Sequence, residues 1–296
     1  MQTMWLCLYS YLLTWLLFPA FSELLARGGV VGENYRGERI PLGMGIIILF
    51  ASALTLITTL PFYWPDWERE GLAFLFFLVL LSLLGLLDDV AGREKVKGLR
   101  GHLSFLLSQG SLSTGLLKGV GGLAGAFFVS LLLADSFLTF FQGGILLSLS
   151  SNALNLLDLR PGRAVKAFLF LMALAFLASG GKGPIVLLYS VLGAVLAYFP
   201  FDLKGQVMLG DTGANLLGGV AGLALLWSLS ARLRTLAIIL LVLLHCFCEK
   251  YSLTRVIAGV PVLNVLDGLG RPSNPRPEPS LKEESSPGAE NTTINR

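Results

Sequence analysis

Charged residues are missing from long stretches of this chain, and the gaps recur at nearly regular intervals. Runs without Asp, Glu, Lys or Arg cover 1–22, 40–65, 71–87, 119–134, 136–157, 167–181, 183–201, 212–231 and 235–248. A helix needs about 20 apolar residues to cross about 30 Å of hydrocarbon, so the longer runs suffice alone. The shorter ones can take in flanking residues whose charged tips snorkel to the interface. The pattern predicts an all-α, polytopic integral membrane protein with nine to ten transmembrane helices, residues 1–270 forming one membrane domain. The segment 271–296 is rich in Pro, Ser, Glu and Asn with almost nothing to bury, and reads as a disordered C-terminal tail.

Composition sharpens this reading. Of 296 residues, 54% are hydrophobic and 14% charged, with a mean hydropathy of +0.72. A soluble domain carries roughly a quarter charged residues. The comparison excludes an ordinary soluble domain, a disordered chain and a basic-faced binder, so no nucleic acid is expected as a partner. The first 22 residues lack a basic n-region and an A-x-A site, and read as a retained helix rather than a secretory leader. Cys7, Cys246 and Cys248 form no disulfide framework, and Cys-x-Cys near a span end reads as packed or lipid-facing thiol rather than a metal site. Asn291-Thr292-Thr293 matches a glycosylation acceptor, which has no meaning on a cytoplasmic tail. No convincing internal repeat is visible.

The net charge of +3 is too small to identify a partner, but its distribution sets an orientation. With the N-terminus outside and nine crossings, 18 of the 22 Lys and Arg residues fall on one side, leaving Arg69, Lys182, Arg232 and Arg234 on the other. The positive-inside rule makes the richer side cytoplasmic, giving N-out, C-in at the cell membrane.

Acids and amides collect at the mouths of spans on that same side. Asp88-Asp89 ends the apolar run LSLLGLLDDVAG. Asn152, Asn155 and Asp158 lie in SSNALNLLDLRPGR at spacing i, i+3, i+6, which reads as one helix face. Asp211 sits in MLGDTGANLLGG where a helix is expected to start, and His245 and Glu249 are i, i+4 in LHCFCEKYS. Each has a plainer reading. Asp211 can cap the helix that follows, Asp88-Asp89 can be solvated loop acids, the asparagines can bond neighbouring helices, and His245 can be structural. Capping and ion pairing do not explain why the acids gather on one side, and acids at membrane depth are functional candidates by default. Carboxylates from three segments beside Lys and Arg suit an Mg²⁺ ion bridging protein and phosphate oxygens.

In this order, the segments resemble the polyprenyl-phosphate N-acetylhexosamine-1-phosphate transferases. Asp88-Asp89 resembles the aspartate pair of that family, and Asn152-x-x-Asn155-Leu156-x-Asp158 its Asn-x-x-Asn-Leu-x-Asp motif. Leu209-Gly210-Asp211-Thr212-Gly213 resembles its Met-Gly-Asp-x-Gly motif, and Arg39-Ile40-Pro41-Leu42-Gly43-Met44-Gly45 its Pro-Thr-x-Gly-Gly stretch. The likeness covers roughly residues 1–260. Three departures fall where the family contacts nucleotide and sugar. Leu159-Arg160-Pro161-Gly162-Arg163 replaces a Gly-x-Asp-Gly continuation. Phe201 and Asp202 stand near the place of an expected Asn, and His245–Lys250 is all that remains of a His-rich loop.

The resemblance implies transfer of a sugar-1-phosphate from a UDP-sugar to a polyprenyl phosphate at the membrane, with UMP released, for cell-wall or surface glycan synthesis. It implies Asp211 as the principal Mg²⁺ ligand, with Asp158 beside it. Asp88 would orient the acceptor phosphate or take its proton, supported by Asp89, and Lys118 would neutralise phosphate charge, ahead of Lys97 and Arg100. Asn152, Asn155, Arg160, Arg163, His245 and Glu249 would bind substrate. The sugar, the glycan pathway and the oligomeric state, a homodimer included, stay open. Two other classes compete: a non-catalytic relative that binds lipid phosphate, and a transporter, which would favour midplane sites and repeated halves.

Overall fold

In the computed structural model the described residues are 4–92 and 113–272. The tail beyond 272 and the basic residues Lys97 and Arg100 lie outside them.

The first helix, α1 (Met4–Arg27), leads into a hairpin of β1 (Val31–Glu33) and β2 (Arg39–Pro41), antiparallel with Gly32 opposite Ile40. α2 (Gly45–Ala91) follows; its backbone leaves helical geometry at Trp67, with φ −137° and ψ 28°, two residues after Pro65. A proline withholds the N–H that the preceding turn needs. The break divides α2 into a shorter apolar helix, Gly45–Thr59, and a long one, Asp66–Ala91. Then come α3 (Thr114–Leu133), α4 (Phe137–Leu157), α5 (Arg163–Ser179), a 3₁₀ turn (Gly183–Leu188) running into α6 (Tyr189–Leu203), α7 (Gly210–Ser228) and α8 (Ala231–Lys250). Two short helices close the described chain, α9 (Leu253–Gly259) and α10 (Pro261–Gly268). Six helices among the described residues are long and apolar enough to cross a bilayer. The protein is an all-α polytopic membrane protein.

Small residues decide which helix is central. In α7, 15 of 19 residues are buried, whereas α8 buries none, so α7 is the axis of the bundle and α8 lies at its edge. Lipid tails are as apolar as leucine, so helices in a bilayer associate through close van der Waals packing, which small residues permit. At Gly218 a side chain would fall on the backbone of Ser150 and Ser151 in α4. The same holds at Gly45, where a Cβ would meet the backbone of Gly213 and so separate the start of α2 from α7. On the outside, Leu16, Leu131, Phe170, Leu177 and Leu243 are exposed, as lipid-facing positions should be.

Successive helices alternate in direction, so Gly45, Asp88, Thr114, Leu157, Arg163, Leu203, Gly210 and Lys250 are gathered at one end. The hairpin fastens that end. Asn34 Oδ1 accepts from the amides of Arg36 (2.9 Å) and Glu38 (3.0 Å), while its Nδ2 donates to Gly205 O at 3.1 Å. The amides of Met44 and Gly45 donate to Met208 O and Leu209 O, both at 3.0 Å, holding the loop that launches α7.

The packing makes a prediction about Gly218. Since the obstructing atoms are backbone, Gly218→Val should cost at least about 3 kcal/mol, the upper range for overpacking. Gly122→Ala, whose Cβ meets only a Leu81 methyl at 3.9 Å, should be neutral or stabilising by up to about 1 kcal/mol. Unfolding of both variants in the same detergent checks the contrast.

Candidate active site

A helix that begins inside a protein leaves its first amides without intrahelical acceptors. α7 begins this way, and Leu209, at its N-cap, offers no side-chain cap. The acceptor comes from α2. Asp89 Oδ1 accepts from the amide of Asp211 at 2.9 Å; Oδ2 accepts from the amide of Thr212 at 2.9 Å and its hydroxyl at 2.6 Å. Asp158, at the end of α4, accepts from the amide of Gly210. The approach is close enough that a side chain at Gly85, one turn before Asp89, would collide with the backbone of Asp211 and Thr212. The cap of α7 is therefore Asp89, not Asp211.

Relieved of capping, Asp211 reaches across to α3. Lys118 Nζ donates to Asp88 Oδ2 at 2.6 Å and to Asp211 Oδ2. The three side chains are 20–28% exposed, enough to be reached from the cleft and sheltered enough for the charges to act on one another. The backbone of Asp211 is braced by Asn215, whose Nδ2 donates to its carbonyl at 2.7 Å, and Ser151 Oγ donates to Asn215 O at 3.1 Å. These groups line a cleft of about 830 Å³, with Asp88, Lys118, Asn152, Asp211, Asn215 and His245 on its walls. His245 is held by Nδ1 against Leu241 O at 2.7 Å. A carbonyl only accepts, so Nδ1 carries the proton; Nε2 is buried and has no partner among the described residues.

Other expected residues lie elsewhere. Asn155 and Asp158 are not on the cleft wall with Asn152. Six helical residues turn through about 600°, leaving the first and last some 120° apart, and Asp158 is already beyond the end of α4. Burial, then the carboxylates of Asp202, Asp211 and Asp89, push the Asp158 carboxyl well above the ordinary range. Arg160 lies over the Tyr35 ring, 5.6 Å from its centroid, on the face of the hairpin. Arg163 is buried and forked onto Asp267 of α10 at 2.8 and 2.9 Å, with Nη1 donating to Thr254 Oγ1 at 3.0 Å. Glu249 is exposed near the end of α8. Sequence reasoning passed over Thr212, Asn215, Ser151 and Asp267. Thr212 and Asn215 stand one and four residues after Asp211, spacings that put Asn215 on Asp211's own helix face, a signal available without the fold.

Among the described residues no three His, Cys, Asp or Glu side chains close around a metal position. The donor set still fits Mg²⁺, which is commonly held by one or two carboxylates and completed by water and substrate phosphate. Asp88 and Asp211 already meet at a single cationic centre, Lys118 Nζ, on an open cleft.

Two predictions follow from this geometry. Asp89→Ala removes the acceptor of three donors and should destabilise the protein by about 1–3 kcal/mol per orphaned buried group, with faster amide exchange at residues 211–213. Asp89→Asn, which keeps an acceptor oxygen, should lose less. The second concerns the clasp on α10. Burial would raise Asp267, but hydrogen bonds from Arg163 and Arg271 outweigh it and hold the carboxyl down at about 2, below its ordinary 3.8. A depressed carboxylate stabilises the fold above its ordinary value and loses that contribution as pH falls through the folded value. Amide exchange over 254–271 should therefore stay slow down to pH 3.8 and accelerate toward pH 2, while Arg163→Met should show fast exchange throughout.

Residues 71–229, more than half of the chain, match Glycosyl transferase family 4. The phospho-N-acetylmuramoyl-pentapeptide-transferase of Enterococcus faecalis (strain ATCC 700802 / V583) is 29% identical over 268 residues, covering 82% of this chain and 78% of that protein. The protein of the same name from Borrelia turicatae (strain 91E135) is 25% identical over 288 residues, covering 84% and 80%. The aspartate-lined cleft and the matched span from α2 to α7 place this chain in glycosyl transferase family 4.

Proposed function

We propose that the protein transfers a sugar-1-phosphate of the N-acetylhexosamine type from a UDP-sugar to a polyprenyl phosphate, forming a polyprenyl-diphosphate-sugar for cell-wall or surface glycan synthesis. The observation that carries this reading is the convergence of Asp88, Asp211 and Lys118, from three helices, at one end of the bundle on an open cleft. That end is the basic one, so the cleft faces the cytoplasm, with nine crossings and an outside N-terminus. The acceptor's phosphate would rest at the interface while its tail lies against the helices. The names of the two relatives support this substrate class.

In the reaction, an acceptor phosphate oxygen attacks the sugar-bearing phosphorus of the donor, and the bond to the UMP oxygen breaks. Such transfer depends on positioning and charge neutralisation more than covalent protein chemistry. Asp88 orients the acceptor phosphate; held beside Lys118 it is ionised and a weak base. Lys118 screens phosphate charge as the acceptor approaches. Asp211 would hold Mg²⁺, which supplies Lewis-acid stabilisation of charge on the phosphates. Asp89 and Asp158 keep the start of α7, and so Asp211, in place. Asn152 and His245, both on the cleft wall, offer polar contacts to the donor's sugar or base. Arg163, committed to Asp267, makes no direct contact with the donor. A cleft at the helix ends rather than the midplane argues against the transporter. The departures near the donor motifs favour the lipid-phosphate-binding relative as the second reading.

Asp211→Asn separates the two. It should fold but lose turnover by about 10²-fold or more, given the several kcal/mol a metal Lewis acid supplies. Asp88→Asn should also lose turnover yet keep Mg²⁺-dependent donor binding more nearly intact. UMP release against Mg²⁺ concentration, with melting curves as folding control, measures both. Full activity in Asp211→Asn would remove the centre of this mechanism.

A further inference from the structure

A second pocket lies at the other ends of the helices that form the cleft. Its volume is about 210 Å³, smaller than the usual range for drug-sized ligands, which begins near 300 Å³. Along α2, Arg69 is 19 residues before Asp88, about 28 Å at 1.5 Å per residue, so this is a separate place on the opposite side of the bundle. The wall includes Arg69, Glu70, Asp135, Trp227 and Arg234.

Three observations say what would occupy it. First, Arg234 Nε is buried with no acceptor among the described residues. A buried guanidinium donor without a partner carries its full desolvation cost, which an anionic oxygen would relieve. Second, the amides that open α8 receive no side-chain cap from Ser230, so the positive end of that helix dipole is presented one turn from Arg234. Third, the pocket is not simply basic: two arginines face two carboxylates. Of these, Arg69 and Glu70 approach only to 3.5 Å. A balanced wall does not favour a bare anion; it suits a ligand that carries both signs a few ångströms apart. Leu131, Phe137, Leu138 and Leu236, within two residues of wall residues in the chain, are strongly exposed, so the neighbouring medium is hydrocarbon.

We propose that this pocket binds the zwitterionic headgroup of a membrane phospholipid. The phosphate lies against Arg234, Arg69 and the first amides of α8. The ammonium is taken by Glu70 and Asp135, with the acyl chains running down the exposed apolar helix faces. The site is independent of the transfer reaction, since none of its residues touches the cleft.

Native mass spectrometry of the full-length protein in detergent, titrated with single lipids, tests this directly. Phosphatidylethanolamine should bind more tightly than phosphatidylglycerol, and diacylglycerol should bind weakest. Arg234→Gln should weaken phosphatidylethanolamine about tenfold, the range of one charge-assisted hydrogen bond. Asp135→Asn, on an exposed turn where folding is not at stake, should weaken it about threefold and leave phosphatidylglycerol unchanged. Equal or tighter binding of phosphatidylglycerol would overturn the zwitterionic assignment. Equal binding of diacylglycerol would show that acyl chains alone are held. Saturation by inorganic phosphate, with no gain from lipid, would mean an ion site instead. Unchanged affinity in both variants would remove the pocket from lipid binding.

Discussion

The start of α7 is the point on which the rest of the structure turns. A helix that begins in the packed interior must find acceptors for its first amides, and here they come from a carboxylate on α2, 122 residues earlier in the chain. That grip sets the direction of α7, which threads the bundle with most of its surface buried. It also decides the chemistry. With Asp89 occupied by amides and a threonine hydroxyl, Asp88 on the preceding residue and Asp211 on the captured helix are left to share one lysine. Adjacent aspartates thus do different work: one is tied to backbone, the other faces the cleft.

The bilayer imposes the second constraint. Because hydrocarbon gives helices little reason to associate, contact must come from close packing, and the glycines of α2 and α7 supply it. Charged groups are confined to helix ends for the same reason, since at the membrane centre they are costly. The aspartates therefore sit at one end of the bundle and the Arg69–Arg234 pocket at the other, joined by the same α2, α3, α4, α7 and α8. The clasp of Arg163 and Arg271 on Asp267 holds α9 and α10 against the cleft end of the bundle. Forked arginines on a buried carboxylate make a rigid joint there, which is why Arg163 serves structure rather than the cleft.

Family membership and packing bear on different parts of this picture. The matched region from α2 to α7 holds Asp88, Asp211 and the lysine between them. His245 lies beyond it, on α8, and its contribution is visible only in the geometry: it lines the cleft with one ring nitrogen held on a carbonyl.

By itself the sequence determined the membrane class, the all-α architecture and the order of acids along the chain. Charge-free runs and polar punctuation are local properties that the bilayer reads one segment at a time. It also carried the family, because Asp88-Asp89, Asn152 to Asp158 and Leu209 to Gly213 resemble short motifs of that family in the same order. Only the tertiary structure decided what each acid does. Asp211 after a glycine looks like a cap, but capping is a contest between acceptors, and Asp89 wins it from a distant segment. Asn152 and Asp158 seemed to share a face, yet helical pitch and the end of α4 send one to the cleft and the other to Gly210. Arg163 read as a substrate contact until a carboxylate 104 residues later claimed it. Such outcomes depend on which distant groups arrive at the same point, and spacing along the chain holds no record of that.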